Sequence, residues 1–496
     1  MIQAANGIKN GNQGASTSAR NTKPGKSDRK FNESQVTFLT AENLKLQGAI
    51  THITRQMAVC EIYGGIIGLR MSEVLNNFQL NVGGHIIYNG RAVISKLLDG
   101  GSNTLCEVTL DESSWSGLDL SALDKHSIIE EFKQFINDQQ YVYKIHSDYK
   151  LVLTDMQIFL ADLRLWLSQL ELGLGATSQV DRPAWERAMI AEIGLTVFPI
   201  ITALFEKFEM AAAKVDKQFL HVHQSLVKRM LHPLILCSPF MHRIYFKPLG
   251  YAGDYEMVNM ILRDPHEGNS LFAKLLNVFI LGQVPGEAHR NRVIYLVNRL
   301  VEETQRMIKL GEVCKIYNLG CGPAGEIQHF LRHHNAAQRA EFTLLDADEQ
   351  TLRDTGAVLA RIKSECYRRT PIKLVRKSVH QLLKPSDKIR NIGEKYDLIY
   401  SAGLYDYLTD QVGRIIIELL YEQLAPGGLL LITNVDPVNP IKNIMEHIYD
   451  WHLIYRNGDE LRALASGLPA DAMVSIRAEY TSANVILEMR KPMLPS

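Results

Sequence analysis

Residues 313–325 read Val-Cys-Lys-Ile-Tyr-Asn-Leu-Gly-Cys-Gly-Pro-Ala-Gly, an apolar run that breaks into glycines at 320, 322 and 325. Such a run reads as a buried strand opening into a loop. Glu326 to His333 follows as a helix, and Phe342-Thr-Leu-Leu-Asp346 as a second strand closing on an acid. Strand, Gly320-x-Gly322, helix, strand and acid make a nucleotide-binding βαβ unit. Its glycines let a ligand lie on the backbone, and its carboxylate accepts the ribose hydroxyls. The spacing also fits a dinucleotide, but Pro323 deletes an N–H where a pyrophosphate needs a helix-start donor. A cofactor with an adenosine and a charged amino-acid tail, free of phosphates, suits this loop better than NAD.

Downstream, Ile372 to Arg376 reads as a strand leading to Ser378-Val379. Tyr396-Asp-Leu-Ile-Tyr400 is a strand opening into Ser401-Ala-Gly-Leu-Tyr-Asp-Tyr407, and Ala425-Pro-Gly-Gly428 a tight turn before the strand Leu429 to Asn434. Met473 to Tyr480 and Ala483 to Met489 alternate as a closing hairpin. With these motifs in this order, residues from about 310 to 492 resemble a class I S-adenosylmethionine-dependent methyltransferase. The resemblance implies an α/β, Rossmann-like sheet and S-adenosyl-L-methionine as cofactor. By position, it puts Gly320, Cys321, Gly322 and Gly325 in the cofactor loop and Asp346 on the ribose. Ala347 or Asp348, with Ser378 and Val379, fall near the adenine, and Ser401 to Leu404, with Gly403, face the methionine end.

Upstream, Phe246-Lys-Pro-Leu-Gly-Tyr-Ala-Gly-Asp-Tyr-Glu-Met-Val-Asn-Met260 crowds Lys247, Tyr251, Asp254, Tyr255 and Glu256 into one loop and helix start. Capping is the alternative role for Asp254. The phrase resembles the Lys-Pro-x-Gly-Tyr-x-Gly-Asp-Tyr-Glu segment of bacterial methyltransferases of 3-hydroxypalmitic acid methyl ester biosynthesis. Glu287-Ala-His-Arg-Asn-Arg292 and Asp450-Trp-His-Leu-Ile-Tyr-Arg456 look like that family too, which extends the resemblance over about 240–496. It implies methyl transfer to the carboxylate of a hydroxylated fatty acid, with Tyr251, Asp254, Tyr255, Glu256, Tyr405 and Arg456 as catalytic candidates. A carboxylic acid is already ionised at neutral pH and needs no base, only groups to orient it; Lys247, His289 and Arg290 join the candidates for that task. Were the acceptor an amine or hydroxyl, Asp254, Glu256 or His447 would serve as base. Two alternatives stay open: N-methylation of an amine on a natural product or peptide, and a non-catalytic regulatory protein that uses the fold and its barrel for partners.

Toward the amino end the texture changes. From 35 to 120, short β-branched and aromatic runs (Gly48–Thr54, Met57–Tyr63, Gly65–Met71, Phe78–Leu80, His85–Tyr88, Arg91–Leu97, Thr104–Leu110) alternate with Gly64-Gly65, Gly83-Gly84, Asn89-Gly90 and Asp99-Gly100-Gly101-Ser102. They predict hairpins and a small closed β-barrel or sandwich. The segment resembles a PilZ-like barrel, the module that senses cyclic di-GMP. Arg55 stands alone where that family is Arg-rich, however, and no Asp-x-Ser-x-x-Gly occurs, so a scaffolding or dimerising role is the plainer reading. Residues 121–236 predict a helical connector, with an Ile128, Ile129, Phe132, Ile136 stripe, Leu151–Leu172 stopped at Gly173 and Gly175, Ala184–Glu209 and Val215–Met230. Residues 237–309 form a cap and substrate region before the cofactor domain at 310–496, and residues 1–34 read as a disordered tail.

Composition bounds the rest. Fifty-four Lys and Arg balance 54 Asp and Glu, so no footprint for coating nucleic acid is present. No run approaches 18 consecutive apolar residues, so no membrane span is expected. The six cysteines lie scattered, which predicts reduced thiols, no metal site and a cytoplasmic location. The expected partner is a small-molecule acceptor, with a homodimer through barrel edge strands as a further expectation.

Overall fold

The computed structural model describes residues 35–63, 69–82, 85–99, 103–115, 145–174, 181–383 and 394–493. The expected tail at 1–34, the Ile128–Ile136 stripe, the stop at Gly175 and the turns at 64–65, 83–84 and 100–102 lie outside the described residues.

Six strands, β1 (Gln35–Leu39), β2 (Lys45–Ile53), β3 (Met57–Tyr63), β4 (Val74–Val82), β5 (His85–Asp99) and β6 (Asn103–Leu110), form an antiparallel barrel. β1 pairs with both β2 and β4, which closes it in the order β1-β2-β3-β6-β5-β4. Alternation buries Val36, Phe38, Cys60, Phe78, Leu80, Ile94 and Val108 inside, where Phe38 stacks on Phe78 at 5.6 Å. Among the described strands, closure leaves no unpaired edge. Two strand boundaries differ from expectation. Asn89-Gly90 is no turn: Asn89 pairs with Gln79 and Gly90 with Phe78, so β5 runs straight through. A side chain at 90 would lie 2.2 Å from Ser114 Cβ, so the glycine serves a close approach. Leu69 to Met71, the end of the run Gly65–Met71 expected as a strand, lies outside any strand, in a turn that leads into β4.

Among the described residues seven helices follow: α1 (Ser147–Leu174), α2 (Arg182–Ala212), α3 (Leu220–Ile235), α4 (Pro239–Phe246), α5 (Tyr255–Leu262), α6 (Leu271–Leu281) and α7 (Val284–Lys309). α2 is long and apolar enough by composition to cross a membrane, although no single run of 18 apolar residues announces it. It packs on α1 and α6 and buries Ile201, Leu204 and Phe208.

The remaining chain alternates β7 (Cys314–Leu319), α8 (Gly325–His333), β8 (Ala340–Asp346), α9 (Glu349–Glu365), β9 (Ile372–Arg376), α10 (Val379–Leu383), β10 (Tyr396–Ser401), α11 (Asp410–Glu422), β11 (Leu424–Val435), α12 (Lys442–Tyr449), α13 (Gly458–Ala463), β12 (Met473–Ala478) and β13 (Asn484–Arg490). The sheet runs β12-β13-β11-β10-β7-β8-β9, parallel from β11 to β9, with β13 antiparallel to both neighbours. This is the Rossmann-like α/β sheet expected. Ala425 to Gly428 lies inside β11 rather than before it: Tyr396 pairs with Leu424 and Leu398 with Leu429, so the Pro-Gly-Gly residues bulge out of register. The strand order reverses between β7 and β10, and a crevice at their carboxyl ends is where such sheets bind ligands.

Candidate active site

β7 ends in a loop held by its neighbour strand. Gly320 and Cys321 N–H both donate to Leu345 O at 2.9 Å, and Gly320 and Gly322 adopt φ of +72° and +49°. Gly322 N–H donates to Asp346 Oδ2 and Asp348 N–H to Asp346 Oδ1, each at 3.1 Å. Both oxygens are thus oriented before any ligand arrives. Burial pushes the Asp346 carboxyl up, and the two N–H donors oppose that.

Over this loop opens a cavity of about 1470 Å³, its mouth included, ample for a cofactor and a second molecule. Of the residues expected from the sequence, Tyr251, Tyr255, Gly320, Cys321, Gly322, Gly325, Asp346, Ala347, Val379 and Gly403 line it. The others do not. Ser401 Oγ donates to Leu319 O at 2.8 Å and joins β10 to β7, and Ser378 Oγ caps α10 through Gln381 N–H at 3.2 Å. Asp348 caps α9 through Thr351 N–H at 2.6 Å.

Most catalytic candidates lie outside the cavity lining, several of them engaged by other groups. Asp254 caps α5, accepting Met257 N–H at 2.8 Å, and pairs with Arg243 at 2.7 Å. Glu256 pairs with Arg263 and accepts Asn259 Nδ2 at 3.0 Å. Tyr405 is fully buried against Gly413. Arg456 binds Asp410 at 2.7 Å, Asn434 Oδ1 at 2.8 Å and the carbonyls of Tyr405 and Leu408, which locks β11 to α11. Lys247, the left-handed cap of α4, donates to Tyr449 O at 2.9 Å, Arg290 to Leu281 O at 3.1 Å, and His447 meets Tyr149 Oη at 3.0 Å in the core. Tyr255 keeps an edge position, its hydroxyl donating to Asp354 at 2.5 Å.

The cavity also gathers residues that the motifs did not single out: Arg70, Arg292, Asn318, Asp406, Tyr407 and Trp451. Arg292 is buried, and its Nη1 has no hydrogen-bond partner among the described residues. Asn318 donates through Nδ2 to Glu326 at 3.2 Å, leaving its Oδ1 buried without a partner. Burial pushes Asp406 up to about 6, against the pull of Arg292. Trp451 Nε1 donates to Tyr407 Oη at 3.0 Å, which leaves the tyrosine's own proton free to donate. His289 is pushed down to about 3, first by burial and then by Arg292, so it is neutral at pH 7. Its Nδ1 lies 3.0 Å from Pro285 O and must carry the proton, so Nε2 is an acceptor. Arg292 closes a motif already quoted, and Asp406 and Tyr407 end another; a spacing signal for their roles exists in neither. Arg70 arrives from the barrel, and no local pattern points to it.

At the far end Pro285, His289, Met445 and Trp451 also line a second space of about 400 Å³, walled by Phe240, Ile244, Ile261, Ile280 and Ile441. Beyond Tyr449 a third, smaller apolar space continues among α1, α2, α3 and α6. Among the described residues no group of three or more His, Cys, Asp or Glu gathers to hold a metal.

No family model matches the chain, and no curated protein matches it either. Solved structures do align with it. A possible exported protein from Bordetella parapertussis is 18% identical with a TM-score of 0.39, over 51% of this chain and 86% of that one. Magnesium protoporphyrin IX methyltransferase from Synechocystis PCC 6803, with bound S-adenosylhomocysteine, is 14% identical with a TM-score of 0.34, over 51% and 98%. The N-methyltransferase NodS from Bradyrhizobium japonicum WM9, also with S-adenosylhomocysteine, is 15% identical with a TM-score of 0.28, over 48% and 98%.

Proposed function

We propose that the chain is an S-adenosylmethionine-dependent methyltransferase that esterifies the carboxylate of a hydroxylated fatty acid. The residues present fit the cofactor. Asp346, with both oxygens oriented, suits a ribose diol. The unpartnered Arg292 Nη1 and Asn318 Oδ1 are a donor and an acceptor matched to the carboxylate and ammonium of an amino-acid tail. When bound, the cofactor supplies a methyl group on a positively charged sulfur.

The observation that carries the acceptor class is the apolar extension behind Pro285, His289, Met445 and Trp451. Its apolar walls suit an acyl chain, whose head would then lie in the polar cavity, where Tyr407 has a proton to donate. His289 stands at the junction, where its Nε2 is an acceptor for a hydroxyl near the head. A carboxylate approaching a sulfonium loses charge as the bond forms, so a water-poor pocket favours the step. Alignment of the two groups carries much of the remaining catalysis. The N-methylation reading drew on Asp254 and Glu256 as an acidic pocket; both are paired to arginines outside the cavity.

The test is mass spectrometry of products from the purified chain given cofactor and two panels, 3-hydroxy acids of graded length and primary amines. Methyl esters are expected, with KM falling up to about fourfold for each added CH2, since a buried methylene contributes about 0.8 kcal/mol. Methylated amines without esters would overturn the acceptor assignment.

A further inference from the structure

The barrel does more than adjoin the cofactor domain, because one of its turns enters the cavity. Arg70, between β3 and β4, lines the cavity beside Tyr251, with its guanidinium 5.9 Å from that ring, and its Nε is buried without a partner among the described residues. Two barrel acids hold it. Glu42 pairs with its guanidinium, and Glu73 accepts its backbone N–H and that of Ala41, each at 2.9 Å. The turn is then riveted to the cofactor domain and cap. Met71 N–H donates to Tyr407 O at 3.3 Å, and Val74 N–H to Gly250 O at 2.6 Å. Arg70 is close enough to Asp346 to draw that carboxyl's pKa down.

We infer that Arg70 is a cofactor-binding residue, its guanidinium closing the adenosine slot over Asp346 and Tyr251, so that the barrel forms part of the cofactor site. This rests on the cofactor reading above and adds where the outer wall comes from. A planar guanidinium is suited to the task, because it stacks on an aromatic base while its edge donates hydrogen bonds. The orphaned Nε is a donor with no use in the free protein. Glu42 keeps the group extended, so little side-chain entropy is lost when the nucleoside arrives.

Titration calorimetry of the full chain separates the possibilities with two probes, S-adenosylhomocysteine and 5′-methylthioadenosine, the second of which lacks the amino-acid tail. Arg70→Leu is expected to weaken both about tenfold, the effect of about 1.4 kcal/mol. Arg55→Ala, on the exposed barrel surface, leaves both unchanged. Equal affinities in Arg70→Leu and wild type overturn the inference while the cofactor reading stands. Failure of the wild type to bind either probe overturns the cofactor reading, and this inference with it. If Arg70→Leu melts well below the wild type, Glu42→Ala is read instead: weaker methylthioadenosine binding supports the inference, and unchanged binding overturns it.

Discussion

Arg292 has its guanidinium withdrawn from water and one nitrogen without a partner. An unsatisfied charged donor is costly, and a ligand carboxylate removes that cost. Arg292→Met should therefore weaken S-adenosylhomocysteine binding about 10- to 100-fold, the loss of one charge-assisted bond of about 1.5–3 kcal/mol. Binding of 5′-methylthioadenosine should be unchanged. Calorimetry with both ligands reads this, and equal losses would place Arg292 at the nucleoside instead. Asp406 faces the same cation from the opposite sign. Its carboxyl sits near 6 in the folded protein against an ordinary value of 3.8. Between those values the folded state holds a proton that the unfolded chain has released, so stability falls as pH rises from about 3.8 to about 6. Asp406→Asn mimics the protonated form and can still accept Val435 N–H. It should thus be more stable than wild type by about 1–3 kcal/mol at pH 8 and indistinguishable from it near pH 3.5. Denaturant midpoints at the two pH values decide it, and an equal offset at both would detach the effect from titration.

The elements that carry the site meet where β10 leaves the sheet. Gly403 follows that strand with φ of +91°, and an added Cβ would lie 3.3 Å from Arg292 Nη1. Gly403→Ala thus combines backbone strain of about 1–2 kcal/mol with displacement of Arg292. A lower melting temperature and weaker S-adenosylhomocysteine binding are expected together; lower stability with normal binding would mean that α7 yields without disturbing the cavity. The same junction shows what was legible in the sequence. The βαβ unit, β9, β10 and the closing hairpin could be read because each is a short apolar run ended by a glycine, an acid or a polar turn, all local signals. The surroundings of Asp254, Tyr405 and Arg456 are not legible in the sequence, because a polar residue in a conspicuous motif looks alike whether it caps a helix, fills a core or meets a ligand. Burial and partners decide between these roles, and both depend on contacts distant in the chain. Arg456, for example, is spent on Asp410 and Asn434. Asn89-Gly90 misled for a related reason: the pair favours a turn in isolation, but the β4 ladder and the approach of Ser114 hold it extended.

At the scale of the whole molecule, buried hydrogen bonds tie the barrel to the cofactor domain. Ser72 Oγ donates to His452 O at 3.0 Å and accepts His452 N–H at 2.5 Å, holding the Asp450–His452 strap whose Trp451 lines the cavity. Arg91 Nη2 donates to Tyr245 O at 2.8 Å from another side of the barrel. Ser72 is fully buried, so Ser72→Val removes partners from backbone groups that water cannot reach, which costs about 1–3 kcal/mol per unsatisfied group. Contacts of this kind, made across the boundary rather than within either unit, predict that the two melt as one. Calorimetric scanning of the wild type should show a single transition, and S-adenosylhomocysteine at about 100 times its Kd should stabilise all of it by about 2.7 kcal/mol. In Ser72→Val the barrel should begin to melt first, splitting the transition, and the ligand should then draw the two steps back together because binding requires both parts. If the ligand raised only the upper step and left the barrel's melting where it was, the barrel would be a passenger on a self-sufficient cofactor domain.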